Sequence, residues 1–174
     1  RLEGETLRRS GDVHLDRHEV EQARDFYERS LQISRALDDG AAVANDLGNL
    51  ARVAMYEGRS AEALAGFDQA VRVLAGADLR KHTQFLAERG EARAGSDLDG
   101  GIEDLDRAIF QARASGWLVL LVSCLCGRSR ARHDPADLAE AEGIANQMDL
   151  ADRSRLRRDL ERTRELLRNR HATG

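Results

Sequence analysis

The chain has 174 residues, enough for one ordinary domain or one array of small repeats. Hydrophobic residues make up 41% and charged residues 33%, so a soluble folded protein is expected rather than a fibrous or membrane-embedded one. A formal net charge of −4 gives no long-range attraction to nucleic acid as a whole.

Alanine, leucine, arginine and glutamate dominate, there is a single proline (Pro135), and aromatic residues are only 4%. These side chains lose little freedom in a helix, and no stretch alternates cleanly enough for a strand, so an all-α chain is predicted. Two cysteines imply no disulfide framework and fit a reducing, cytoplasmic setting. The most apolar run, "GWLVLLVSCLC", is too short to span a bilayer. Lys81 is the only lysine; the arginine bias reads as genomic base composition. Beginning at Arg1 with a helical pattern already under way, the chain reads as a fragment of a larger protein.

In chain order the predicted helices are 3–16, 19–38, 40–57, 60–75, 78–94, 97–114, 117–131, 135–147 and 152–169. The first holds His14, and His18 follows four residues later with Asp12, Asp16 and Glu19 nearby. On one helix that spacing would put both imidazoles on one face, as a metal site requires. The predicted helix end falls between them and no third ligand has helical spacing, so a packing histidine and a turn histidine are expected.

The first two helices then recur. "LRRSGDVHLDRHEVEQARDFYERSLQI" (Leu7 to Ile33) aligns without a gap on "LGNLARVAMYEGRSAEALAGFDQAVRV" (Leu47 to Val73). Gly11 meets Ala51, Ala23 meets Ala63, Tyr27 meets Phe67, Ser30 meets Ala70 and Leu31 meets Val71, a period of 40 residues. A third copy starts at Leu86, with Gly90, Gly101, Leu105 and Ala108 in the pattern and Arg89 at an expected core position. Gly100 and Gly101 open its second helix, where an anion could rest, but Asp97, Asp99, Glu103 and Asp104 would repel phosphate. A fourth, degenerate copy runs from Trp117 to Met148, with Asp134 as N-cap and Pro135 at the first helical position. Its Cys124 and Cys126 are separated by about 200° around a helix and cannot easily chelate one ion; buried, inert thiols are expected. The carboxylates are expected on polar helix faces, without an apolar pocket to raise a pKa.

The last helix, "DRSRLRRDLERTRELLRNR", places Leu156, Leu160, Thr163 and Leu167 on one stripe among eight arginines from Arg153 to Arg170. Asp152, Asp159, Glu161 and Glu165 offset half of that charge and no aromatic interleaves for base stacking, so a solvated capping helix is expected over a phosphate-binding one.

Small-x2-apolar, then Gly, then Ala-x3-aromatic-x2-Ala resembles the tetratricopeptide repeat, most closely in "NLARVAMYEGRSAEALAGFDQAVRVL". The long period resembles the arrays of bacterial signal-transduction ATPases and kinesin light chains, and the proline usual after the second helix is missing. The resemblance implies one solenoid domain over residues 1–174, with repeats at about 4–38, 44–76, 79–114 and 117–148 and a capping helix at 152–169. The hairpins would form a right-handed superhelix.

Within that resemblance the first helices line a concave groove. The implied groove residues are Arg8, Arg9 and Asp12; Asn45, Asn49, Arg52 and Tyr56; and Gln84, Glu88 and Glu91, all expected to be exposed. The groove would be basic in the first copy and acidic in the third, suiting a partner of opposite polarity. Arg8 and Asn49 would suit a clamp for a C-terminal carboxylate, whereas Asp12 and Glu88 would repel one. The implied function is a protein-interaction scaffold, the sensor or regulatory segment of a larger signalling protein, binding a peptide, helix or partner domain. Two alternatives remain: homodimerisation through "WLVLLVSCLC" and the last helix, and nucleic-acid binding through the arginine helix. No catalytic constellation, cofactor site, metal site or membrane span is expected.

Overall fold

A computed structural model of the protein describes residues 2–148 and 153–171, and the side chains of 2–148 and 156–169. The described residues form nine helices and no strand: α1 (Leu2–Asp16), α2 (Val20–Ala36), α3 (Gly40–Tyr56), α4 (Ser60–Leu74), α5 (Leu79–Ala94), α6 (Leu98–Ala114), α7 (Leu118–Arg132), α8 (Pro135–Asn146) and α9 (Arg153–His171). The predicted ends agree within two residues. The predicted start at Asp152 and the side chains of Arg153 and Arg170 lie outside the described residues.

Local chemistry places the breaks. Asp39, Asp97 and Asp134 cap α3, α6 and α8, accepting from the backbone N–H groups of Ala42, Gly100 and Ala136. Pro135 follows its cap at a helix start, where a missing N–H costs nothing. After α1, α3 and α7 the chain turns through left-handed residues: His18 (φ 61°), Gly58 (φ 75°) and His133 (φ 57°). His18 and Gly58 are 40 residues apart and do the same job, so the helix end predicted between His14 and His18 is where α1 stops.

The chain divides into two compact units, residues 1–85 and 86–174, with the boundary inside α5. In unit 1 the helices pack as neighbouring pairs, α1 on α2, α2 on α3 and α3 on α4. Ala23 and Ala63 are fully buried, as are Tyr27 and Phe67. Positions 40 residues apart thus share one environment, and each large side chain contributes about 1.5–3 kcal/mol by leaving water. Leu15, Ala23, Tyr27 and Val53 form a continuous cluster with Val20 and Leu50 against it. Gly11 is small of necessity, because a Cβ there would lie 2.5 Å from the Tyr27 ring. Phe67 stacks obliquely on Phe85, centroids 6.2 Å apart.

In unit 2, α7 packs against α6, α8 and α9. Its Leu121, Val122, Cys124, Leu125 and Cys126 are all buried, with Leu105, Ala108, Ile109, Leu138, Ala141, Leu156 and Leu167 in the same core. Leu156, Thr163 and Leu167 bury the predicted α9 stripe while Leu160 is half-buried. The second half of the apolar run offered by the sequence as a homotypic interface is thus buried inside unit 2, while Trp117, Val119 and Leu120 are half-buried and Leu118 is exposed. Arg89, anomalous at a core position, has a partner. Its Nε and Nη2 donate to the two oxygens of buried Asp104 at 2.8 and 2.7 Å, a fork-to-carboxylate pair. Gly101 stands beside it because its Cα approaches the Gly90 carbonyl too closely for any side chain; an added Cβ would lie 2.7 Å from that oxygen. Among the described residues no helix is long and apolar enough to cross a membrane.

Candidate functional site

The polar positions of α1 and α3 are where the implied groove residues of unit 1 fall, and packing sorts them. Arg9 is exposed and pairs with Glu5 one turn back (2.8 Å). Asp12 is half-buried; its Oδ1 accepts from the Tyr27 hydroxyl (2.8 Å) and from Arg52 Nη1 (3.2 Å). Tyr56 is 52% exposed with the His18 ring edge-on to it at 5.8 Å. Asn45 and Asn49 stand one turn apart on α3, and each has an enclosed side-chain carbonyl with no hydrogen-bond donor.

Most of the exposure expectations fail: of the ten implied groove residues only Arg9 and Tyr56 are exposed, and the Arg52 side chain, 11% exposed, is more enclosed than that of Arg8 at 17%. Asn49 is buried at 1% exposure, because residue 49 of α3 falls on its packed side with Gly48 and Val53. Arg8 does not offer a free cation, since its guanidinium turns inward to Asp46. In α5, Gln84 accepts from Lys81 Nζ at 3.4 Å within unit 1. In unit 2 Glu91 is held by Arg130 (2.6 Å) and the backbone at Gly127 rests against it, leaving no room for a Cβ there. Glu88 is half-buried on the same helix. The expected basic-to-acidic polarity is thereby largely cancelled: Arg8 by Asp46, Arg52 by Asp12, Glu91 by Arg130. A carboxylate clamp loses both of the residues that suited it.

The sequence reading also placed every carboxylate on a polar face, and Asp46, Asp104 and Asp137 contradict it. Asp46 is fully buried on α3. Ser34 Oγ donates to its Oδ2 (2.7 Å), Ser30 Oγ lies 2.8 Å from its Oδ1, and Arg8 Nη1 lies 3.3 Å from Oδ1. Burial pushes the Asp46 carboxyl above its ordinary value, more than the two hydroxyls and Arg8 pull it down. A signal existed: Ser30 and Ser34 occupy the buried stripe of α2 where the second copy has Ala70 and Leu74. Two hydroxyls in an apolar stripe announce a polar partner.

The other chemical candidates resolve into structure. His14 leans on Phe26 (centroids 5.0 Å apart) and its Nδ1 meets Glu19, while His18 sits beyond the end of α1. Among the described residues no group of three or more histidine, cysteine, aspartate or glutamate side chains could hold a metal ion. Cys124 and Cys126 are free thiols at 0% exposure, pushed up to about 12 and about 11 chiefly by burial. The start of α6 is closed by Asp97, whose carboxylate already accepts the Gly100 N–H at 3.0 Å. On α9, Arg164 is held by Glu142 on α8, and Thr163 and Asp159 engage Arg130 and Ser123 of α7.

Paired helices with recurring small and aromatic contacts define a helical-repeat architecture among the described residues. Residues 2–75 match the family model described as Tetratricopeptide repeat, so α1 to α4 are tetratricopeptide repeats. No curated protein matches the chain. Such repeats generally mediate protein–protein interactions, and all-helical scaffolds of this kind are typically not enzymes.

Proposed function

We propose that the protein is an interaction module whose working surface in unit 1 is the polar face of α1 and α3. Its reading residues are Arg9, Asp12, Asn45, Arg52 and Tyr56, with Asn49 beneath them. The observation that carries the proposal is the pair of asparagines on α3. A buried amide oxygen without a donor costs about 1–3 kcal/mol, and a folded protein keeps such groups rarely. Among the described residues neither Asn45 nor Asn49 has a donor to its carbonyl. A ligand that draws these amides outward supplies what they lack, and backbone N–H groups of an extended peptide are donors of the right spacing and neutrality. Tyr56 offers the large, stiff apolar contact that dominates small interfaces.

The role we infer for the whole is the sensor or regulatory segment of a larger signalling protein, with a peptide, helix or partner domain as ligand. Gln84, Glu88 and Glu91 are not among the reading residues of unit 1, and Glu91 already serves an internal pair of unit 2. Two observations weigh against the alternatives: Leu121, Val122, Cys124, Leu125 and Cys126 of α7 are buried within unit 2, which leaves Leu118 as the exposed apolar side chain of that helix, and the described α9 arginines alternate with Glu161 and Glu165.

The test is selection from a displayed random-peptide library against the intact protein, followed by affinity measurement on variants. Tyr56→Ala and Arg9→Glu are expected to weaken the selected peptides about tenfold or more, while Gln32→Glu on the outer side of α2 leaves them unchanged. Peptides sensitive to Gln32→Glu but indifferent to Tyr56→Ala and Arg9→Glu would refute the assignment of the face.

A further inference from the structure

Asp46 belongs to neither the apolar core nor the proposed face, and its side chain is 0% exposed. Two helices supply its polar contacts. α1 presents Arg8 and the backbone carbonyl of Gly4, and α2 presents the hydroxyls of Ser30 and Ser34. α4, which also packs on α3, buries only apolar side chains: Ala63, Phe67, Ala70, Val71 and Leu74. Arg8 is the one charged side chain in contact with Asp46 among the described residues. Glu5 and Asp39 line the cleft that opens beside Arg8 and Ser34.

Hydrogen counting separates two states. The Ser30 hydroxyl has one hydrogen and two acceptors within reach, the Gly4 carbonyl at 3.0 Å and Asp46 Oδ1 at 2.8 Å. If Asp46 carries a proton on Oδ1, that proton goes to Ser30 Oγ and Ser30 gives its own to Gly4. Ser30 Oγ has a second lone pair for Arg8 Nη1 at 3.1 Å, and Asp46 Oδ2 still accepts from Ser34 at 2.7 Å. Every group is then matched. If Asp46 is ionised, Ser30 must turn its hydrogen to the carboxylate and Gly4 loses its link to α2. What is left between α1 and Asp46 is Arg8 at 3.3 and 3.5 Å, long against the 2.7–2.9 Å of a good charge-assisted pair.

We propose that Asp46 is a proton-operated latch on α1: protonated, it closes the Asp46–Ser30–Gly4 chain that ties α1 to α2 and α3, and losing the proton loosens α1 against them. The direction follows from linkage. Detaching α1 lets water reach Asp46 and returns it to an ordinary carboxylate, whose reference value is 3.8, whereas burial holds it higher in the closed form. A group with a raised value in the closed form stabilises that form fully at pH below its ordinary value. The contribution is lost as pH rises through the raised value. Because α1 carries Arg9 and Asp12, the latch also governs the α1 part of the proposed face, though it stands on geometry that needs no ligand.

The test is amide hydrogen exchange of the intact chain from about pH 4 to pH 7, corrected for intrinsic exchange, with α4 as internal control. In the wild type the protection of α1 is expected to fall with rising pH, by about tenfold for each unit by which Asp46 is raised. Protection of α4 stays level, and Asp46→Asn levels α1 as well. Protection of α1 that rises with pH, as an ordinary salt bridge would give, overturns the proposal, as does an equal fall in Asp46→Asn. Should that variant fold poorly, the carboxyl carbon-13 titration of Asp46 in the wild type decides. A midpoint above 3.8 is expected, and one at or below it overturns the latch.

Discussion

Replacing Gly11 by alanine tests the packing of the repeats most sharply. The added methyl would meet three carbons of the Tyr27 ring at 2.5, 2.8 and 2.8 Å, where relaxed carbon contacts lie at about 3.5–4.0 Å. The ring cannot swing away: Tyr27 is 0% exposed and its hydroxyl is bonded to Asp12. Either the α1–α2 pair separates by about 1 Å or the ring leaves its rotamer, and overpacking of this kind costs about 1–3 kcal/mol. Alanine also gains about 1 kcal/mol of helix propensity over glycine, which partly hides the clash. Gly143→Ala supplies the correction, since Gly143 lies inside α8 with nothing within 4 Å of its would-be Cβ. The difference between the two variants, in which propensity cancels, is expected to be about 1–3 kcal/mol, read from urea midpoints at constant m-value. Equal stability of the two variants would show that Tyr27 does not fill the space against Gly11, and the repeat register built on that contact would fall.

Other consequences follow from single contacts. Arg89→Met strands Asp104 as a buried, unpaired charge and is expected to cost about 3–5 kcal/mol, whereas Arg89→Met with Asp104→Leu restores most of it; no recovery in a double-mutant cycle refutes the pairing. Cys124 and Cys126, pushed up to about 12 and about 11, carry almost no thiolate near pH 8. They should react with an aromatic disulfide reagent only as fast as the protein opens, and prompt labelling of the native protein contradicts their burial. His133→Gly relieves a left-handed residue at the end of α7 and is expected to raise stability by about 0.5–1 kcal/mol, measured as a higher midpoint in the same urea titration.

The fold was readable because its determinants are local and repeated. Ala23, Tyr27 and Leu31 recur as Ala63, Phe67 and Val71, and a 40-residue period in small and aromatic residues has few structural solutions. The turns were readable for the same reason, with Gly58 marking what His18 does. What escaped were features made between helices. Asn49 and Arg52 both look like solvated polar residues of one helix, and the docking of neighbours encloses both, leaving Asn49 1% and the Arg52 side chain 11% exposed. Arg8 and Asp46 are 38 residues apart with no shared spacing, and each taken singly reads as a solvated charge. Likewise Arg89 reads as a defect until Asp104 is placed opposite it. Polar residues bury themselves in pairs, and a one-dimensional pattern shows only one member at a time. Ser30 and Ser34 were the exception: their place on an apolar stripe was itself the signal.

In its proposed role unit 1 reads a partner with the face of α1 and α3. Chemical-shift mapping of the amides on titration with a selected peptide tests it most directly. Perturbations confined to Arg9, Asp12, Asn45, Asn49, Arg52, Tyr56 and their neighbours, with new hydrogen bonds to the two asparagine side chains, are what the account predicts. Perturbations gathered on the exposed residues of α2 and α4, with the Asn45 and Asn49 side-chain resonances unmoved, would contradict it.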